Sequence, residues 1–187
     1  MRFWPQKRWK KILLTTLLII LAVFASIGAY LEYSVYREIT STETLNNSGS
    51  KTALLIYHPG LTNFAKDVAC AYADGLVSSG WRVEVTTVSQ QAPTDLPEYS
   101  LLVLCWPIYD LNPGSSITNY VHRIGNLQGI NTTIITVGGG IDPLNASEAM
   151  NNTVHSADGT IIQSLTMFRS QRNLAVLISA EASKITP

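Results

Sequence analysis

Residues 53–63 read ALLIYHPGLTN, a short continuous apolar run followed by a segment rich in turn-forming residues. An apolar run of this length, without polar alternation, is typical of a strand buried on both faces of a sheet. Apolar residues at helical spacing follow from Phe64 to Ser79, and Gly80 stands where a glycine commonly ends a helix. The stretch therefore predicts a strand, a loop and a helix in succession.

The same alternation of strands and helices continues to the end of the chain. Further strands are predicted at 82–88, 101–106, 132–137 and 161–168, and further helices at 117–124, 145–152 and 174–184. Alternating strands and helices indicate a parallel sheet covered on both faces, and right-handed crossovers leave few topologies for it. The sequence thus predicts a doubly wound α/β domain with a five-stranded parallel sheet over residues 51–187.

An uncharged apolar segment at residues 12–31 precedes this domain. About 20 such residues in a helix span the roughly 30 Å hydrocarbon core of a bilayer, so we predict a transmembrane helix there. Residues 1–11 are basic, and residues 32–50 are mostly polar and are interpreted as a flexible tether. The positive-inside rule places the N-terminus in the cytoplasm and the domain outside, at the cell membrane. A cleaved signal peptide is the alternative, since its first region is also basic.

Charge and cysteine content exclude several classes of function. The chain has 13 basic and 13 acidic residues, and five of the basic ones precede the apolar segment, which leaves a net charge of −5 for the rest. A mildly acidic domain is not typical of nucleic-acid binding. The three histidines lack metal-ligand spacing, so no metal site is expected. Cys70 and Cys105 are interpreted as small buried residues, with a single bridge in an oxidising compartment left open.

Three segments that follow predicted strands resemble the flavodoxin superfamily, and the resemblance covers residues 51–173. The segment entering the first domain helix resembles the phosphate loop; its residues are His58, Pro59, Gly60, Leu61, Thr62, Asn63 and Phe64. Trp106, Pro107, Ile108 and Tyr109 resemble the turn whose aromatic residue lies near the isoalloxazine ring. Gly138, Gly139 and Gly140 resemble the loop at the pyrimidine edge of the flavin. The resemblance implies FMN as the cofactor of a short flavodoxin-like protein with an N-terminal anchor.

The phosphate loop departs from the family pattern T/S-x-T-G-x-T. Thr62 keeps a hydroxyl, whereas Gly60 and Ala65 replace two hydroxyl residues and Asn63 replaces the glycine. Each missing hydrogen bond is worth about 0.5–1.5 kcal/mol, and more toward a charged acceptor. Backbone N–H groups at a helix start still attract a phosphate.

Structural interpretations compete with the cofactor interpretation at each segment. The first loop is alternatively a plain turn, with Thr62 or Asn63 capping the helix. Trp106 and Tyr109 are alternatively packing aromatics, and the glycine triplet a tight turn. His58 is interpreted as an exposed loop side chain. Filling of the loop mouth by His58 and Phe64 would argue against a cofactor.

Two functional hypotheses of different classes follow. The first is a membrane-anchored flavoprotein that binds FMN for electron transfer, with a redox partner protein, or reduces a small acceptor. The second is a non-catalytic, membrane-tethered interaction module with a degenerate flavin site. A third possibility inverts the topology and places a flavin-bearing domain in the cytoplasm. No residue is assigned as a catalytic acid or base, so enzymatic activity and oligomeric state stay open.

Overall fold

The computed structural model describes residues 7–36, 40–108, 115–138 and 144–187. The chain divides into two compact units, Met1–Arg37 and Glu38–Pro187. Each unit is considered by itself.

The first unit contains one long helix, α1 (Arg8–Tyr36). Its stretch Arg8–Tyr33 is long and apolar enough to cross a membrane, judged by length and composition, and none of that stretch is buried against protein. The hydroxyl of Thr15 donates to the Lys11 carbonyl at 2.9 Å, and that of Ser26 to the Ala22 carbonyl at 2.8 Å. These polar groups are therefore satisfied within the helix, as an apolar environment requires.

The second unit is an α/β domain with one mixed sheet. Its elements are β1 (Thr42–Leu45), β2 (Thr52–Tyr57), α2 (Phe64–Ser78), β3 (Arg82–Thr87), β4 (Leu101–Pro107), α3 (Ser115–Ile124), β5 (Asn131–Gly138), α4 (Leu144–Ser156), β6 (Thr160–Phe168) and α5 (Leu174–Ala182). The strand order is β1-β3-β2-β4-β5-β6, and every pair is parallel except β1 with β3. The five predicted strands and the doubly wound arrangement are confirmed.

The sheet has a sixth strand that the sequence did not predict. Residues 32–50 were interpreted as a flexible tether, but β1 lies within them and pairs antiparallel with β3, with Thr42 opposite Thr86. The hydroxyls of these two threonines are 2.8 Å apart. β1 is an edge strand, hydrogen-bonded to a neighbouring strand on one side only. Its four residues are mostly exposed, so its sequence carries no apolar pattern. The prediction of an unstructured tether was wrong for this part.

Two separate cores cover the faces of the sheet, because alternate residues of each strand face opposite sides. In β4, Leu101, Val103 and Cys105 pack with α2 and α5, whereas Leu102, Leu104 and Trp106 pack with α3 and α4. Gly75 allows α2 to approach α5 closely, since a Cβ atom there would lie 2.2 Å from the Ser179 carbonyl oxygen. The parallel strands of this core all end at one edge of the sheet, the carboxyl edge.

Candidate functional site

A cleft of about 210 Å³ lies at the carboxyl edge. Its lining residues are Gly60, Leu61, Thr62, Phe64, Ala65, Pro107, Ile108, Val137, Gly138 and Arg169. They come from the loop after β2, from the ends of β4 and β5, and from the turn after β6. The structure therefore brings together parts of all three segments that the sequence singled out, as expected where parallel strands share a direction.

His58 stabilises the loop between β2 and α2 through a hydrogen bond to Gly60. Its side chain is 4% exposed, and its backbone N–H donates to the Cys105 carbonyl at 3.0 Å. Its ring Nδ1 accepts a hydrogen bond from the Gly60 N–H at 3.0 Å, and Gly60 itself has a positive φ of 68°. The interpretation of His58 as an exposed side chain was wrong. It fixes the loop and leaves the cleft open, although Phe64 forms part of the wall.

The start of α2 presents backbone N–H groups at the cleft. Asn63 precedes the helix with φ −70° and ψ 0°, and its side chain makes no capping hydrogen bond. The Thr62 hydroxyl accepts a long bond, 3.4 Å, from the Phe64 N–H. The Asp67 N–H donates to the Asn63 carbonyl at 2.8 Å, which is the first hydrogen bond of the helical pattern. The N–H groups that precede Asp67 in α2 have no acceptor carbonyl one turn earlier within the helix. Partial positive charge therefore collects where Phe64 and Ala65 line the cleft.

Arg169 is a cleft residue that the sequence reasoning missed. It follows directly after β6, and its backbone N–H donates to the Gly138 carbonyl at 3.3 Å. Its guanidinium carbon lies 6.0 Å from the centroid of the Phe64 ring. The sequence did offer a signal for this residue, because a basic side chain directly after the last predicted strand must lie at the carboxyl edge.

Several predicted site residues lie elsewhere. Trp106 is fully buried in the core beside α3 and α4, which favours the packing interpretation, and its indole N–H has no hydrogen-bond partner among the described residues. Pro59 and Asn63 belong to the loop but do not line the cleft. Three further predicted residues, Tyr109, Gly139 and Gly140, lie outside the described residues.

The thiols near this edge are shielded. Cys105 and Cys70 are free, without a bridge between them. Burial raises the pKa of the Cys105 thiol, whose sulfur lies 3.7 Å from the Ala65 carbonyl oxygen beneath the loop. Burial also raises the pKa of Cys70, which is only partly exposed. Neither environment is the electropositive one that activates a cysteine.

The cleft fits an anionic group next to an apolar one. Of the residues that the structure describes, those lining the cleft include Arg169 and no carboxylate, while Phe64, Ile108 and Val137 supply apolar walls. Asp67, the acidic residue in the first turn of α2, is not among the lining residues. A phosphate with an attached aromatic group matches this combination. Within the described ranges, no group of three or more His, Cys, Asp or Glu side chains is placed to hold a metal ion.

A second hollow, of about 370 Å³, lies at the opposite, amino edge of the sheet. Its lining residues are Lys51, Leu96, Pro97, Tyr99, Ser100, Leu127, Gln128, Gly129, Ile130 and Asn131. The Tyr99 hydroxyl donates to a Glu84 carboxylate oxygen at 2.6 Å, and burial followed by this bond raises the pKa of Tyr99.

Solved structures match the chain in fold. The flavodoxin of Streptococcus pneumoniae TIGR4 is 14% identical, with a TM-score of 0.61 over 71% of this chain and 95% of that one. A flavodoxin from the domain Archaea is 13% identical, with a TM-score of 0.61 over 72% and 95% of the two chains. The two-electron reduced Megasphaera elsdenii flavodoxin is 13% identical, with a TM-score of 0.58 over 71% and 99%.

Comparison of the sequence alone finds no related family or protein. No protein-family model matches the sequence, and no curated protein matches it. At such low identity the structural matches show the fold alone.

Proposed function

We propose that this chain, whose domain has a flavodoxin-like fold, binds FMN at the carboxyl edge and serves electron transfer or reduction of a small acceptor. The observation that carries the proposal is the open cleft where the loop before α2 meets the ends of β4 and β5. This is the edge at which ligands bind in doubly wound sheets, at the switch in strand order between β2 and β4.

Different residues of the chain would bind the phosphate and the ring of FMN. The backbone of 59–64 would hold the phosphate, since its amides and the start of α2 offer N–H donors. Pro107, Ile108 and Gly138 would bound the ring at the ends of β4 and β5. The flavin supplies the redox chemistry when bound, and the surrounding apolar wall excludes water from it.

For localisation, we propose that α1 anchors the chain in the cell membrane with the domain on the extracytoplasmic side. The length and composition of Arg8–Tyr33 support the anchor, and the basic residues that precede the apolar segment support the orientation. Reporter fusions that report on opposite sides, placed at each terminus in turn, should give a cytoplasmic N-terminus and an external C-terminus. The reverse pattern would indicate a cytoplasmic flavin-bearing domain.

Flavin binding is tested with the purified full chain in detergent. FMN should co-elute with the protein in gel filtration, keep its visible absorbance, and lose fluorescence on titration into the protein. A protein that leaves FMN fluorescence unchanged at micromolar concentrations contradicts the proposal.

A second candidate is a membrane-tethered interaction module without cofactor. It is favoured by the loop, which lacks two of the family's hydroxyl residues, and by the use of the Gly60 N–H in the bond to His58. Both features remove donors that a phosphate would otherwise engage. The same titration separates the candidates, because the module would bind no flavin.

A further inference from the structure

The side chain of Arg169 is the cationic group of the carboxyl-edge cleft. It lines the cleft together with Gly60, Thr62 and Phe64. Its guanidinium carbon lies 6.0 Å from the Phe64 ring centroid, within the range of a cation–π contact, so the ring supports the group beside the loop. The backbone bond from its N–H to the Gly138 carbonyl fixes the start of the turn that carries it.

No acid among the described residues forms an ion pair with this charge. Among the described residues the ion pairs are Arg82 with Glu84 and Lys184 with Glu181, and Arg169 takes part in neither. Among the described residues, none of those that line the cleft is an acid. A cation beside helix amides creates a site that favours an anionic ligand.

We propose that Arg169 binds the phosphate of the ligand directly and makes the cleft selective for phosphorylated over unphosphorylated flavins. The inference rests on the proposed function and adds a specificity residue to it. The planar guanidinium offers paired donors that match phosphate oxygens. It compensates for the hydroxyl residues that Gly60 and Ala65 replace in the loop.

The test compares FMN, riboflavin and phenyl phosphate as ligands of the full chain in detergent, by titration calorimetry. The variants are R169Q, R169K and R172Q, of which the last removes one positive charge from an exposed position that does not line the cleft. Thermal unfolding of each variant checks that the fold is kept.

The expected result is selective. R169Q should weaken FMN and phenyl phosphate binding about 10- to 100-fold, as for a hydrogen bond to a charged group, and change riboflavin binding less than about twofold. R169K should retain part of the affinity, and R172Q should bind like the unchanged chain. The salt dependence of FMN binding should also be shallower in R169Q, because one ionic contact is lost.

Other outcomes overturn the inference in distinguishable ways. Equal losses for FMN and riboflavin would show that Arg169 only supports the fold of the cleft, and unchanged FMN binding in R169Q would show no role. If the unchanged chain binds phenyl phosphate through Arg169 but neither flavin, the FMN proposal fails while the phosphate contact stands. If it binds no phosphate ligand, both proposals fail.

Discussion

The hollow at the amino edge of the sheet is larger than the cleft at the carboxyl edge, about 370 Å³ against about 210 Å³. Several of its backbone amides are nevertheless already engaged in hydrogen bonds within the protein. The Gln128 N–H donates to the Asn126 side chain at 2.6 Å, and the Gly129 N–H to the Asp158 carbonyl at 2.7 Å. The Ser100 N–H likewise donates to the Thr52 carbonyl at 2.9 Å.

The carboxyl edge differs because a helix begins there. The first turn of α2 supplies N–H groups and the positive end of a helix dipole, and Arg169 adds a full charge. At the amino edge α2 and α3 end instead, so the dipoles there present their negative ends. Strand and helix direction, and not the volume of a hollow, therefore identify the edge suited to an anionic ligand.

The largest expected effect concerns thiol reactivity beneath the carboxyl edge. In a C70S variant, the remaining Cys105 is fully buried and burial raises its pKa, so the reactive thiolate is disfavoured. Labelling by a thiol reagent in native buffer should be at least about 1000-fold slower than in urea, since access requires unfolding. Mass spectrometry over time measures both rates. Similar rates in buffer and urea would mean that this edge opens freely.

Saturating FMN should slow this labelling further, because ligand binding stabilises the folded state by mass action. Phenyl phosphate serves as a weaker ligand for comparison. If FMN binds yet leaves the rate unchanged, the ligand does not stabilise the edge that contains Cys105.

The next largest effect is expected from a negative charge, which should weaken FMN binding at the carboxyl edge and not at the amino edge. T62E places a carboxylate in the carboxyl-edge cleft, where repulsion of a phosphate should weaken FMN binding about 100-fold, since like charges about 4 Å apart repel by a few kcal/mol near a protein surface. Fluorescence titration gives the affinity. T62Q controls for side-chain size, and Q128E adds the same charge at the amino edge. Equal losses in T62E and Q128E would contradict a carboxyl-edge phosphate.

Removal of the His58 ring should destabilise the carboxyl edge. H58A leaves the Gly60 N–H without its acceptor, so the free energy of unfolding should fall by about 1–3 kcal/mol. Urea unfolding followed by circular dichroism measures the change. The control H155A alters an exposed residue in the last turn of α4 and should cost less than about 1 kcal/mol. A stability of H58A equal to that of H155A would show that His58 does not hold the loop.

The smallest effect is expected from the one hydroxyl that the loop retains. T62V should weaken FMN binding about three- to tenfold through the loss of one hydrogen bond. The control T160V changes an exposed threonine at the start of β6, at the amino edge. A T62V affinity within error of T160V would leave backbone amides and Arg169 as the phosphate donors.

The sequence predicted the parts of the domain whose signals are local. The run at 53–57 and the helical spacing after Phe64 predicted β2 and α2 because burial imposes those periods on neighbouring residues. It missed β1, since the pairing of Thr42 with Thr86 needs a partner far along the chain and leaves no apolar pattern.

The candidate site was predicted only in part, for a related reason. Loop positions follow from the strand ends, so the lining by Thr62, Ile108 and Gly138 could be expected from the sequence. The burial of His58 could not, because it depends on the bond to Gly60 and on the contact with the Cys105 carbonyl. The placement of Trp106 in the core was likewise a matter of which face of β4 it occupies.

Spacing along the chain was enough to predict the apolar helix, the alternation of strands and helices, and the edge at which the loops meet. The position of Arg169 beside Phe64 and the hydrogen bond between His58 and Gly60 became visible only in the folded domain. The first contact joins segments that are remote in sequence, and the second depends on the burial of the His58 side chain. Phe64, for example, packs against the core that α2 and α5 form on one face of the sheet, which holds its ring near Arg169.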